Sequence, residues 1–290
     1  MLSVLFYLGL IAVLCLWVEG ALAPMTNSLI IRRNPGEQLD DWLKSFRWGN
    51  RSQLNEKIDL PHYKFYSEIA LTLLSLARKM GGNYQESLLF LRDGLQSDRQ
   101  FEKKMHELRL GCWLQMLLIM ALTWAFMLGA LSLVDIKISG LKLGLIAIWQ
   151  MIGLCLLPLT LAYLRKKLFG DIGRLWKMLF TLSSMVRVPL SRSEIFAMAD
   201  IKGLDLIKQK SLLHLVDKLK HTCQQALKQG GSYEGEVKYL MEELRFQEKW
   251  HFELFEKRLT MLKLGLLSIF FLPAYLSFIF MLLGDLMTLM

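Results

Sequence analysis

Three stretches of this chain, Leu114–Val134, Leu143–Leu164 and Leu264–Gly284, run for 21, 22 and 21 residues without a charged side chain or a histidine. A helix needs about 20 apolar residues to cross the hydrocarbon core of a bilayer. Lipid supplies no hydrogen-bond partner for an open backbone, so each stretch is expected to be a transmembrane helix. A fourth segment, Met1–Val18, carries no charge and extends to Ala23 across a lone Glu19. It lacks a basic leading region, and residues 1–24 read as an N-terminal membrane anchor. The alternative is a signal peptide cleaved after Ala21-Leu22-Ala23, which would leave Pro24 at the first mature position.

The charges lie elsewhere and order the chain. Residues 25–111 hold 14 Lys/Arg and 11 Asp/Glu, and residues 165–260 hold 18 and 12. Only Lys137 and Lys142 fall between the second and third spans, so 33 of the 35 basic residues lie on one side. The positive-inside tendency puts both large segments in the cytosol, the 135–142 turn outside and both termini outside. The net charge of +9 is then a topology signal with attraction to anionic headgroups, and no nucleic acid is expected as a partner. The expected organisation is an N-terminal anchor (1–24), a first cytosolic helical domain (25–112), a transmembrane hairpin (113–164), a second cytosolic helical domain (165–262) and a last transmembrane helix (263–290). The fold class is thus an all-α membrane protein with four spans and two cytosolic helical bundles.

The two cytosolic segments repeat each other. Residues 77–112 align with 226–261 at an offset of 149 without a gap. Ala77, Lys79, Gly81, Gly82, Tyr84, Leu91, Leu95, Glu107, Arg109 and Leu110 recur as Ala226, Lys228, Gly230, Gly231, Tyr233, Leu240, Leu244, Glu256, Arg258 and Leu259. Composition alone gives roughly two or three such identities. In each copy an amphipathic helix reaches a Gly-Gly pair, and a second helix opens with apolar residues spaced 4, 3 and 4 apart: Tyr84, Leu88, Leu91, Leu95 and Tyr233, Val237, Leu240, Leu244. Glycine suits the left-handed end of a helix, and Asn83 or Ser232 can cap the next. Each pair therefore reads as the turn of an αα-hairpin, internal to a duplicated unit. Before the second hairpin, Ser191 and Glu194 have capping-box spacing for a helix through Ala199, followed by an amphipathic helix over about 206–228.

Little here points to chemistry. Cys15, Cys112, Cys155 and Cys223 form no close pair. His214 and His221 are seven apart on one helical face, but no further Cys or His completes a metal set. Glu242, Glu243, Glu248, Glu253 and Glu256 alternate with Arg245, Lys249, Lys257 and Arg258, the pattern of a solvated helix face. The three apolar stretches hold no acid or base, only Gln150 and Gln115 as amides, which argues against an intramembrane protease or proton-driven carrier. Pro158 and Pro273 interrupt two spans as candidate kinks. Gly140 and Gly144 have small-xxx-small spacing near the turn. An enzyme is not expected, nor any cofactor or metal.

The segment Gly230-Gly231-Ser232-Tyr233 through Glu242-Glu243-Leu244-Arg245, the run Phe255-Glu256-Lys257-Arg258-Leu259 leading into Leu272-Pro273-Ala274, and Val188-Pro189-Leu190 through Ala197 resemble the type II secretion system F domain family, closest to its tight-adherence branch. The likeness covers about 100 residues of the second half and about 50 of the first. It implies a polytopic platform in the bacterial inner membrane, in a type II secretion or type IV pilus-like machine. Its implied partners are a cytosolic hexameric secretion ATPase, pilin or pseudopilin subunits in the bilayer, and a paralogous platform protein or a second copy of itself. Arg187, Arg192 and Lys202 form the candidate ATPase-facing patch. A membrane scaffold for another complex is the alternative, and a transporter ranks below it. Replacing Gly230 and Gly231 with Val should disrupt the hairpin, because β-branched residues resist positive φ. Immunoblots of membranes should then show less protein than wild type.

Overall fold

The computed structural model describes residues 34–45, 60–80, 84–134, 140–186, 188–229 and 232–289. The expected anchor 1–24, Gly81, Gly82, Gly230, Gly231 and Arg187 lie outside the described residues. Among those described there is no strand. The helices are α1 (Pro35–Ser45), α2 (Tyr66–Met80), α3 (Gln85–Val134), α4 (Gly140–Met185), α5 (Arg192–Met198), α6 (Leu213–Gln229), α7 (Glu234–Leu266) and α8 (Leu272–Leu289). A π-helical segment, Leu267–Phe271, joins the last two. Three helical runs are long and apolar enough to cross a membrane: Gln85–Ser132, Gly140–Met185 and Glu234–Gly284. The chain is an all-helical membrane protein. It divides into two compact units, and the boundaries at 104/105, 165/166 and 253/254 fall inside helices.

The first unit comprises residues 33–104 and 166–253. The sequence suggests two separate bundles, yet the two segments share one hydrophobic core. Each helix contributes a stripe at helical spacing. α2 buries Tyr66, Ile69, Ala70, Leu73 and Ala77, and α4 buries Ile172, Leu175, Leu179 and Leu182. The aligned positions of the two segments are buried alike: Tyr84 and Tyr233, Leu91 and Leu240, Leu95 and Leu244, Ala77 and Ala226. Phe180 on α4 is the hub. Its ring lies 5.5 Å from Tyr66, 5.3 Å from Phe90 and 5.3 Å from Trp176. It rests on Gly94 of α3, where a Cβ would overlap the ring.

Local expectations meet the structure unevenly. The capping box is present: Ser191 Oγ accepts from the Glu194 N–H, and the Glu194 carboxylate accepts from the Ser191 N–H at 3.0 Å. The helix expected over 206–228 begins only at Leu213, after two 3₁₀ turns, Ile201–Leu206 and Lys210–Leu212. The cause lies far away in sequence. The Asp171 carboxylate on α4 accepts the backbone N–H groups of Lys208 and Gln209, both at 3.2 Å, and so holds that stretch out of the helix. α2 starts at Tyr66, after Lys64 turns at φ 45° and Ser67 Oγ ties the Tyr63 N–H to the Pro61 carbonyl.

α1 is an element the pattern reading does not include. Asn34 caps it, with Oδ1 3.1 Å from the Gly36 N–H, and Pro35 stands at the first helical position. Leu39 and Leu43 enter the core, and between them the Asp40 carboxylate is buried among cations. It accepts from Arg92 at 3.1 Å and Arg99 at 3.4 Å, and pairs with Lys44 at 2.6 Å. Burial alone would raise its pKa, but the hydrogen bonds from Lys44 and Arg92 win and hold it below the usual carboxylate range.

The second unit comprises residues 105–165 and 254–290, with the preceding residues 1–32 outside the described set. Met127, Leu143, Ile146, Ala274 and Phe278 form a buried layer between α3, α4 and α8. Leu118, Leu122, Leu145, Leu159 and Phe280 are exposed, the face such helices turn to lipid.

The Phe180–Gly94 contact predicts the behaviour of one variant. Gly94→Ala places a methyl in the space of the ring and should lower stability by about 1–3 kcal/mol, the usual cost of overpacking. Thermal unfolding of the detergent-solubilised protein checks this, with a lower Tm as the expected result.

Candidate functional site

In the helical unit, charged side chains gather where the first segment meets the second. Lys64 Nζ lies 2.7 Å from Asp98 Oδ2 and 2.8 Å from Glu102 Oε1, and the Tyr63 hydroxyl donates to Asp98 at 2.9 Å. Glu248 of α7 belongs to the same cluster. Its pKa is pushed up to about 7, first by burial and then by the nearby Asp98 charge; a hydrogen bond from Trp176 and the cations Lys64 and Arg245 only partly oppose this. The apolar stretch of that helix begins at Leu264, so Glu248 lies outside the membrane-spanning segment. The cluster thus sets an acid with a raised pKa near an ion pair between Lys64 and Asp98. Nothing in it supplies a nucleophile with a base and an orienting group.

A second polar cluster surrounds His251, which is 3% exposed. Ser211 Oγ lies 3.1 Å and Gln209 Nε2 3.0 Å from His251 Nε2. Asp171 fixes the backbone that carries Gln209. Both hydrogen-bonding side chains come from the 3₁₀ stretch, so the histidine acts as a buried peg holding that stretch against α7. Of the two histidines singled out by spacing, His214 pairs with Glu243 and His221 is exposed. Among the described residues, no group of three or more possible ligands could hold a metal ion.

The candidate patch is not a set of three free cations. Arg187 lies outside the described residues. Arg192 is half-buried and donates from Nη1 to the Ala226 carbonyl at 2.8 Å, closing the last turn of α6. Lys202 is exposed. On α7, an aromatic stripe that charge-led reading overlooks is present: Tyr239, Phe246 and Trp250 are 50%, 68% and 45% exposed. Their spacing of seven and four puts them on one face. Lys218 covers part of that face, with Nζ 3.7 Å from the Tyr239 ring centroid.

The membrane unit carries a polar layer of its own. Gln150 is fully buried, and its Oε1 accepts from Trp124 Nε1 at 2.8 Å. Its Nε2 has no hydrogen-bond partner among the described residues. One residue earlier on α4, Trp149 Nε1 donates to the Ile269 carbonyl at 3.1 Å. At the charged end of the unit, Lys263 Nζ donates to Gln115 Oε1 at 2.8 Å. Of the two prolines, Pro158 stands inside the unbroken α4, and Pro273 is the second residue of α8, separated from the π segment by Leu272. The chain matches no protein-family model, no curated protein and no solved structure.

Glu248 gives a pH-dependent expectation. Its pKa is raised in the folded state, so the folded protein holds a proton that the unfolded chain releases near pH 4.3, roughly. That stabilisation is complete below the unfolded pKa and is lost as pH rises through about 7. Glu248→Gln, neutral throughout, should therefore raise stability at pH 8 by on the order of 2 kcal/mol. Near pH 5 it should change stability little. Thermal melts at the two pH values decide it.

Proposed function

We propose that the chain is an inner-membrane platform protein of a pilus or type II secretion-like machine. In this reading it couples a cytosolic hexameric secretion ATPase to the assembly of pilin or pseudopilin subunits. The observation that carries the reading is the paired architecture. Two segments that align at an offset of 149 residues bury aligned positions in one core, and each continues toward a span free of charge. Such an arrangement suits transmission of force better than chemistry at a point. One other feature is compatible: no acid or base interrupts the three apolar stretches.

Residues 1–24 supply the fourth span in this reading, and both charged segments face the cytosol in accordance with the positive-inside tendency. The ATPase contact falls on the helical unit, with Lys202 and the Tyr239–Phe246–Trp250 face as its candidate elements. Aromatic residues flanked by charge are the usual anchors of protein interfaces. Self-association or pairing with a paralogous platform completes the assembly.

A mild-detergent pull-down of the tagged protein from its native cells, read by mass spectrometry, tests the proposal. A co-purifying secretion-type ATPase supports it; a well-folded, abundant sample that brings down neither an ATPase nor a pilin-like protein overturns it in favour of another membrane scaffold. Lys202→Glu should reduce ATPase recovery several-fold at unchanged protein level. Arg192→Glu should lower the protein level itself, because the Arg192 side chain closes α6.

A further inference from the structure

A proline at position 273 has no N–H to offer the carbonyl four residues earlier, that of Ile269, and its ring would crowd that carbonyl in a regular α-helix. Two features answer this in the membrane unit. The backbone widens into the π segment Leu267–Phe271, which ends one residue short of the proline, with the Leu272 N–H reaching the Leu267 carbonyl. The Ile269 carbonyl accepts instead from Trp149 of α4, at 3.1 Å. The same two segments also interlock sterically. Phe270 sits on Gly153, where a Cβ would lie 2.7 Å from its Cγ, and its ring centroid is 5.3 Å from that of Trp149. One turn of α4 therefore grips the wide turn at two consecutive residues, by a hydrogen bond at Ile269 and by a notch at Phe270.

We propose that the last span is a two-register element, in which residues 267–271 convert between π and α geometry and the Trp149–Gly153 turn latches the π register. A π segment absorbs one residue more per turn than an α-helix, and π segments inside α-helices are frequent at functional sites. Conversion to α turns everything after it by one residue's rotation, about 100°, and lengthens the span by about 1.5 Å. The buried layer reports the change. In the π register Ala274 and Phe278 are buried in one layer with Met127, and Ser277 is exposed. In the α register Ser277 turns into the place of Phe278. Packed helical interfaces switch between discrete arrangements of this kind rather than deforming continuously. The inference rests on the membrane unit alone and stands apart from the platform reading.

Disulfide cross-linking in bilayer nanodiscs tests it, with the four native cysteines replaced by alanine. Met127→Cys is combined in turn with Ala274→Cys and with Ser277→Cys, both small replacements. The parent should cross-link at 274 at least tenfold faster than at 277. Pro273→Ala restores an N–H for the Ile269 carbonyl and removes no packing, so it should shift the ratio at least tenfold toward 277. Trp149→Phe, which removes the latch donor and keeps an aromatic ring beside Phe270, should shift it in the same direction. An unchanged ratio in Pro273→Ala overturns the two-register proposal. A shift in Pro273→Ala without one in Trp149→Phe overturns the latch. Equal cross-linking at both positions in the parent also overturns it, because the π register would then not be held.

Discussion

Everything in the membrane unit follows from the absence of competing hydrogen-bond partners in hydrocarbon. A backbone carbonyl left open there costs several kcal/mol, so the only stable spans are helices whose defects are repaired from within the protein. Pro273 is such a defect, and Trp149 is its repair. The repair dictates much around it. It requires α4 to come close at that level, which is why position 153 is glycine, and it fixes which face of α8 joins Met127 and Leu143. The same rule bears on Gln150. Its carbonyl oxygen is satisfied by Trp124, while its amide nitrogen is left without a partner in the described residues, at a cost of about 1–3 kcal/mol.

In the helical unit, apolar stripes assemble the helices and polar contacts decide their ends and order. Phe180 brings α2, α3 and α4 to one point, and the glycine beneath it sets how closely α3 approaches. Asp40, Asp171 and Arg192 then tie in the pieces with too little apolar surface to hold themselves: α1, the 3₁₀ stretch and the last turn of α6. The charged side chains of this unit are thus less available for partners than their number suggests.

How much of this could be read beforehand depended on how local its cause is. The three apolar stretches and the capping box at Ser191 are determined within a few residues, and both appear where the pattern places them. α1 carries a local signal as well, Asn34 and Pro35, but its apolar face is only two leucines wide and a polar surrounding hides it. The late start of α6 depends on a carboxylate 37 residues upstream, which no window of sequence contains. Gly94 and Gly153 are silent for a related reason: inside a helix pattern a glycine merely lowers propensity, and only the ring opposite explains it. Arg192 reads in the sequence as one more surface cation, yet its side chain closes a helix end 34 residues away. Pro273 was legible as a disturbance, but the tryptophan that answers it lies 124 positions away.

The single core shared by both segments has a consequence for biogenesis. The chain leaves the ribosome from its N-terminus, and α2 with the first turns of α3 is complete long before α4, α6 and α7 exist. Leu73, Leu91 and Leu95, all fully buried at the end, have no partners from the second segment until two spans have entered the bilayer. Membrane insertion therefore precedes closure of the core. During that interval the nascent first segment exposes a leucine-rich surface, the kind of surface that holding chaperones protect.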